Sequence, residues 1–163
     1  MQENNAGYLS GDLFKTIIDN TPLVSVDLIV KHKGKVLLGK RVNRPAQSYW
    51  FTLGGRVLKN EPIKSAIQRI SKLELGIIID SSPKFIGVFE HLYDDSIFDA
   101  VSTHYVNLAY EIEVSGLEDL PMDQHNEYRW FDLEELIQSS RIHKYIKDYC
   151  TKQKGTVPQE QEN

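Results

Sequence analysis

The sequence predicts one α/β domain: a mixed β-sheet with helices on both faces, an α/β/α sandwich. Three observations carry this. Segments rich in β-branched residues and alternating with period two recur from residue 23 to residue 131. An amphipathic helical pattern interrupts them at 63–75, and two more helical patterns close the chain. A length of 163 residues suits one domain with a sizeable core. The domain is expected to span 1–163, with 1–9 and 153–163 as flexible tails.

The elements follow in order. Ser10 is a candidate cap for a short helix that carries Leu13, Phe14, Ile17 and Ile18 at helical spacing and stops before Pro22. In "LVSVDLIV", Val24, Val26, Leu28 and Val30 alternate, so a strand is expected. "HKGK" turns the chain and "VLLGKR" returns as a second strand. "VNRPAQSYW" reads as a loop, and "WFTL" as one short strand feeding Gly54 and Gly55. Pro62 suits a helix start, and Ile63, Ala66, Ile67, Ile70 and Leu73 make the apolar stripe that Gly76 ends. "KFIGVFEHL" and "THYVNLAYEIEV" are two further strands, joined by "YDDSIFDAVS". "EYRWF" is the last strand, with Trp130 assigned to the core. "DLEELIQSS" and "RIHKYIKDYC" are the closing helices.

Composition narrows the function classes. Apolar residues make up 40% and charged residues 26%, ordinary values for a soluble globular protein. The net charge of −4, without a long run of either sign, argues against non-specific nucleic-acid binding. Cys150 is the only cysteine, so no intrachain disulfide can form and a cytoplasmic setting is expected. The polar start "MQENNAGYLS" has no apolar core of a secretory signal, and no apolar run is long enough for a bilayer.

The stretch "GGRVLKNEPIKSAIQRISKLELG" resembles the Nudix box: Gly, five residues, Glu, seven residues, then Arg-Glu-hydrophobic-x-Glu-Glu-x-Gly-hydrophobic. Gly55, Glu61, Arg69, Glu74, Gly76 and Ile77 match; Ile70 and Leu73 stand where two glutamates belong. Glutamates three and four apart share a helix face, where a full set holds several divalent ions against a pyrophosphate. One surviving carboxylate does not build such a cluster. It still suits a single Mg²⁺ completed by neutral oxygens and substrate phosphates.

The resemblance is closer to one branch, the GDP-mannose mannosyl hydrolases. "NTPLVSVDLIV" echoes that branch's "STPLVSLDFIV", and "LLGKRVNRPAQSYWF", Gly54–Glu61, "THY" and "QHNEYRW" match its other segments. The resemblance implies a Nudix-type sandwich and a Mg²⁺-dependent hydrolase, with one ion per subunit and Mn²⁺ as a substitute. It implies hydrolysis of GDP-mannose, and of GDP-glucose, to GDP and free sugar by water attack at the anomeric carbon with inversion. It also implies a homodimer, for which the apolar N-terminal helix is a plausible interface, and a role in bacterial surface-polysaccharide or GDP-sugar metabolism. The loop in "DDSIFDAVSTHY" is shorter than in the family, which bears on pocket closure and sugar preference.

Residue roles follow from matching these positions. His125 is the candidate base, since imidazole titrates near neutrality; taken alone, a histidine is more often a surface or core residue. Gly54 by its carbonyl, Glu74 by its carboxylate and Gln124 by its amide oxygen are the expected Mg²⁺ ligands. Arg41 and Arg56 are expected to clamp the diphosphate. Arg69 is either a phosphate contact or, slightly favoured, a structural partner of Glu61 and Glu74. Tyr105 is a candidate phosphate donor or a packing residue. Asp27, on an otherwise apolar strand, needs a partner: an arginine or a sugar hydroxyl. Asp12, like Asp27, resembles a family position near the substrate, and His91 with the following Tyr93, Asp94 and Asp95 is a candidate for lining the sugar pocket. Asp12 is equally a first-turn helix residue, and His91 equally an idle sheet-edge histidine. Tyr49 and Trp50 are candidates for stacking on guanine, with a core position the commoner case.

Two competing readings stay open. An orthodox pyrophosphohydrolase would release GMP and a sugar 1-phosphate. An inert nucleotide-sugar sensor would only bind.

Overall fold

The computed structural model describes residues 9–79, 82–117, 120–122 and 125–151. Its elements run α1 (Gly11–Asn20), β1 (Leu23–His32), β2 (Lys35–Arg41), β3 (Trp50–Phe51), β4 (Leu53–Arg56), α2 (Ile63–Leu75), β5 (Lys84–Tyr93), β6 (Thr103–Glu113), β7 (His125–Phe131), α3 (Leu133–Gln138) and α4 (Lys144–Thr151). The strands run β3-β2-β1-β6-β5, with β4 added to β1 and β7 added to β2. The β1–β6 pair is parallel and the remaining pairs are antiparallel, so the sheet is mixed, as expected.

Alternation along β1 assigns its two faces. Val26, Leu28 and Val30 pack with Leu53 against Ala66, Ile67, Ile70 and Leu75 of α2. Ile29 faces the other way, with Val36, Leu38 and Phe131, onto Leu136, Ile146 and Tyr149 of α3 and α4. Burying one such aliphatic side chain contributes about 1.5–3 kcal/mol, so these two layers dominate stability. Ser25 and Asp27 share the Ile29 face but lie nearer the start of the strand. They are the polar end of an otherwise apolar surface.

Several expectations need correction. "WFTL" is not one strand. Thr52 divides it, and its hydroxyl donates to Leu28 O at 2.6 Å. Trp50–Phe51 pairs with β2, whereas Leu53–Arg56 crosses to pair with β1. The last strand starts at His125, two residues earlier than the apolar pattern suggests, because a β2 irregularity brings His125 opposite Arg41. Leu73 is 52% exposed and leaves the helix stripe. Trp130 does pack on the α2-side core, half-buried and tilted against the His32 ring. In α1, Ile18 is buried with Leu23 and Val101, and Phe14 meets Phe98 edge-on, so only part of the expected interface cluster faces outward. Apart from Leu9, the tails 1–9 and 153–163 lie outside the described residues, as does Gln124. Among the described residues, no helix is long and apolar enough to cross a membrane.

Candidate active site

An open pocket lies at the polar end of β1. Its walls include Asp27, Arg41, Gly54, Arg56, His91, Tyr93, Tyr105 and His125, eight residues singled out by sequence, together with Ser25 and Asn107, which were not. Six strands supply these groups, with β1 paired on one side with β6 and on the other with β4. Parallel register sets Ser25 beside Asn107 and Leu23 beside Tyr105. Antiparallel register sets Asp27 beside Gly54 and Ser25 beside Arg56.

The two pocket arginines keep their charge for a ligand. Among the described residues Arg44, Arg69 and Arg129 are ion-paired, whereas Arg41 and Arg56 make no ion pair. Arg41 is steered by its Nε donating to Pro45 O at 2.9 Å, with its guanidinium 5.7 Å from the centre of the Phe51 ring. The Arg56 guanidinium lies 4.0 Å over the Phe14 ring of α1. Two fixed guanidinium groups on one pocket match a diphosphate in charge and in hydrogen-bond geometry.

His125 and Glu74 approach each other beneath the same wall. His125 Nδ1 lies 3.5 Å from Glu74 Oε2, and both side chains are buried. Burial first, and the Arg41 charge second, push the His125 pKa down to about 4, so the ring is neutral at neutral pH. With a neutral ring, this contact is a polar approach and not an ion pair. Neither ring nitrogen of His125 has a hydrogen-bond partner among the described residues. A buried orphan of this kind is costly and points to a ligand or water. The ring fits only because residue 39 has no side chain: a Cβ there would stand 2.5 Å from His125 Cγ and Cδ2.

Metal-binding capacity is limited. Glu74 lines a shallow depression that shares Gly54, Gly55 and Arg56 with the main pocket. Ile70 is fully buried beneath Gly55, where a glutamate would have been desolvated. Among the described residues, no three His, Cys, Asp or Glu side chains gather closely enough to hold an ion. The buried Glu74 carboxylate and the Gly54 carbonyl are hard oxygen donors. They fit one small cation whose shell a ligand completes, and do not form a protein-only cage.

Asp27 finds partners of a kind the sequence did not specify. Its Oδ2 accepts from Tyr149 OH and, at 3.2 Å, from Asn107 Nδ2. Burial raises its pKa to about 6, against the lowering effects of the Tyr149 hydrogen bond and Arg41. His91 is buried in the pocket floor, and both of its ring nitrogens turn inward, towards Asn107 and Tyr149. Burial, with His143 nearby, lowers its pKa to about 3. The side chain expected at the substrate therefore offers the pocket its ring, not its nitrogens. Burial raises the Tyr105 pKa, which keeps its hydroxyl a donor.

Asp12 is not brought to the pocket, whereas Arg69 and Trp50 take the structural and core positions that the sequence favoured. Asp12 is exposed in the first turn of α1, away from the pocket lining. Arg69 donates from Nε and Nη2 to Glu61 at 2.7 and 2.9 Å, and from Nη2 to Arg56 O at 2.7 Å. That pairing lowers the Glu61 pKa and makes Arg69 a brace for the strand carrying Arg56. Trp50 is buried against Phe131, and Tyr49 is an exposed ring edge-on to His143. A polar residue inside an apolar strand was the available signal for Ser25 and Asn107. Tyr149 on the closing helix carried none.

This strand order, the helix α2 behind Gly54-Gly55 and a polar pocket at the end of β1 define a Nudix-type α/β/α sandwich. The NUDIX domain family model matches residues 21–150, and the chain belongs to that family. The low-salt glycan biosynthesis protein Agl8 of Haloferax volcanii is 39% identical over 140 residues, covering 85% of this chain and 86% of that protein. An ADP-ribose pyrophosphatase of Methanocaldococcus jannaschii is 31% identical over 145 residues, covering 88% and 82%. Among solved structures, the MutT NUDIX hydrolase of Burkholderia pseudomallei superposes with a TM-score of 0.67 at 27% identity, covering 81% of this chain and 98% of that one.

Proposed function

We propose that this NUDIX hydrolase splits GDP-mannose, and GDP-glucose with it, into GDP and free sugar by water attack at the anomeric carbon with inversion. One observation carries this reading: the pocket joins two unpaired arginines to a neutral, unpartnered histidine, while the α2 face offers a single carboxylate where multi-metal phosphorus chemistry needs several. The Haloferax relative, a glycan biosynthesis protein by name, supports a sugar-linked role.

In this reaction the bond between C1 of the sugar and the β-phosphate oxygen breaks, and its electron pair leaves with GDP. Arg41 and Arg56 receive the charge that develops on the diphosphate. His125 takes the proton of the water whose oxygen bonds to C1. Tyr105 donates to a phosphate oxygen, and Asp27 faces the sugar. Glu74, the Gly54 carbonyl and Gln124 would hold one Mg²⁺, which when bound neutralises leaving-group charge. A homodimer in GDP-sugar or polysaccharide metabolism is the assembly and setting that go with this reading.

The Methanocaldococcus relative, named a pyrophosphatase, favours a second reading in which water attacks phosphorus. Incubation with GDP-mannose and Mg²⁺, followed by chromatography and proton NMR, separates the two. GDP with β-mannose supports attack at carbon; GMP with mannose 1-phosphate overturns it. Binding without turnover would make the chain a nucleotide-sugar sensor.

A further inference from the structure

Five polar side chains from four elements form a hydrogen-bonded network in the pocket floor: Ser25 and Asp27 of β1, His91 of β5, Asn107 of β6 and Tyr149 of α4. None is more than 6% exposed, and each of the five side chains finds a partner within the group. The Asp27 carboxylate, which only accepts, sets the directions of the bonds around it.

Asp27 Oδ2, an acceptor-only carboxylate oxygen 3.2 Å from the Asn107 amide, settles the amide's orientation, and Asn107 Oδ1 is left to accept from Ser25 Oγ. The Asn107 NH₂ then points the other way, at His91 Nδ1 and at Asp27 Oδ2, 3.2 Å away. An amide NH₂ only donates, so His91 Nδ1 must accept and carries no proton. The proton of the neutral imidazole therefore sits on Nε2, which faces Tyr149 OH at 3.2 Å. The Tyr149 oxygen accepts that proton's hydrogen bond, and its own hydrogen goes to Asp27 Oδ2. The other tautomer, like the imidazolium, would set two donors against each other in a buried site. Tyr145 clamps the ring from above: it stacks on His91 at 4.0 Å between centroids and 4° between planes, with its hydroxyl held by Leu92 N and O.

Asp27 is thereby tied down by one oxygen only. Its Oδ1 lies on the opposite side, over Gly54, where a Cβ would come within 2.5 Å. No hydrogen bond reaches Oδ1 from the described residues. We propose that Asn107 and Tyr149 are positioning residues that fix His91 as the Nε2–H tautomer and tie back Asp27 Oδ2, leaving Oδ1 as the one carboxylate oxygen aimed at the bound sugar. This deepens the functional reading above and rests on it only for what Oδ1 meets; the tautomer and the orientation do not depend on the substrate.

The experiment is long-range ¹H–¹⁵N NMR of the histidine rings at neutral pH, run alongside steady-state kinetics with GDP-mannose and Mg²⁺. His91 is assigned by the loss of its signals in His91→Asn. In the wild-type chain, His91 shows a bare Nδ1 and a protonated Nε2. Tyr149→Phe keeps the buried ring, retains dispersed folded-state spectra and lowers kcat about tenfold or more with KM within about twofold, as loss of a hydrogen bond to a charged group does. A proton on Nδ1 in the wild-type chain overturns the proposal, and so does a Tyr149→Phe chain with unchanged kcat. A wild-type chain that shows the expected tautomer without releasing sugar upholds the network of bonds and overturns only the functional reading.

Discussion

His125 Nδ1 stands 3.5 Å from Glu74 Oε2, buried on both sides and joined to the pocket by the unpartnered imidazole. The contact links the one carboxylate in the α2 sequence to the proposed base, whose ring nitrogens have no hydrogen-bond partner among the described residues. His125→Gln is expected to keep the fold and lower kcat by about 10²–10⁴, the usual worth of general base catalysis. Glu74→Gln should instead raise the Mg²⁺ concentration needed for half-maximal rate, and added chelator should stop turnover in the wild-type chain. A Glu74→Gln chain with an unshifted Mg²⁺ titration would remove the carboxylate from the metal site.

Two glycines make room for this chemistry. At Gly54 a Cβ would lie 2.5 Å from Asp27 Oδ1 and 2.6 Å from Val26 O, a backbone atom that cannot swing aside. Gly54→Ala should therefore cost about 1–3 kcal/mol of stability as well as activity. At Gly39 the obstructed group is the His125 ring, a side chain that can move. Gly39→Ala should lower kcat at least as far as displacement of the base demands, with a smaller loss in thermal melting. Equal stability losses for both variants would show that the His125 seat is as rigid as the strand.

These distances explain which parts of the molecule were legible in the sequence. The β1 strand, the α2 helix and the Gly54–Gly76 stretch announce themselves through period and spacing, because burial on one face dictates them. Arg41, Arg56, Glu74 and His125 were legible as chemical types at matched positions. Asn107 and Tyr149 were not, since the partner of a buried carboxylate is decided by strand register and helix docking, which no local pattern encodes. Leu73 misled for the same reason: helical spacing put it on the stripe, while the docking of α2 turned it out to solvent.

Arg69 shows how a motif residue can act at one remove. Its fork holds Glu61 with two nitrogens and the Arg56 carbonyl with one of them, in a partly buried setting. Arg69→Lys keeps the charge but loses the fork, so a loss of about 1–2 kcal/mol is expected. Because the brace ends on the backbone of Arg56, KM for the nucleotide sugar should rise modestly as well. An intact melting temperature together with a large rise in KM would make Arg69 a direct phosphate contact.

Acid should weaken the fold through His91. The unfolded ring titrates at its ordinary 6.5, whereas burial holds the native ring to about 3. Between those values the unfolded chain binds more protons, so stability rises with pH there and is lost on acidification. From pH 7 to pH 5, this one ring should cost about 2 kcal/mol. Asp27 works in the opposite direction. Burial lifts its pKa from 3.8 to about 6, so the native chain binds more protons in that window and regains about 1 kcal/mol over the same interval. His143, lowered to about 4 chiefly by burial, adds to the loss whether or not His91 is present. Urea unfolding of the wild-type chain and His91→Asn at both pH values isolates the contribution of His91. The variant should start less stable and fall by about 2 kcal/mol less on acidification. Parallel losses in the two chains would mean that His91 is not the neutral, buried ring that the Asn107–Tyr149 network requires.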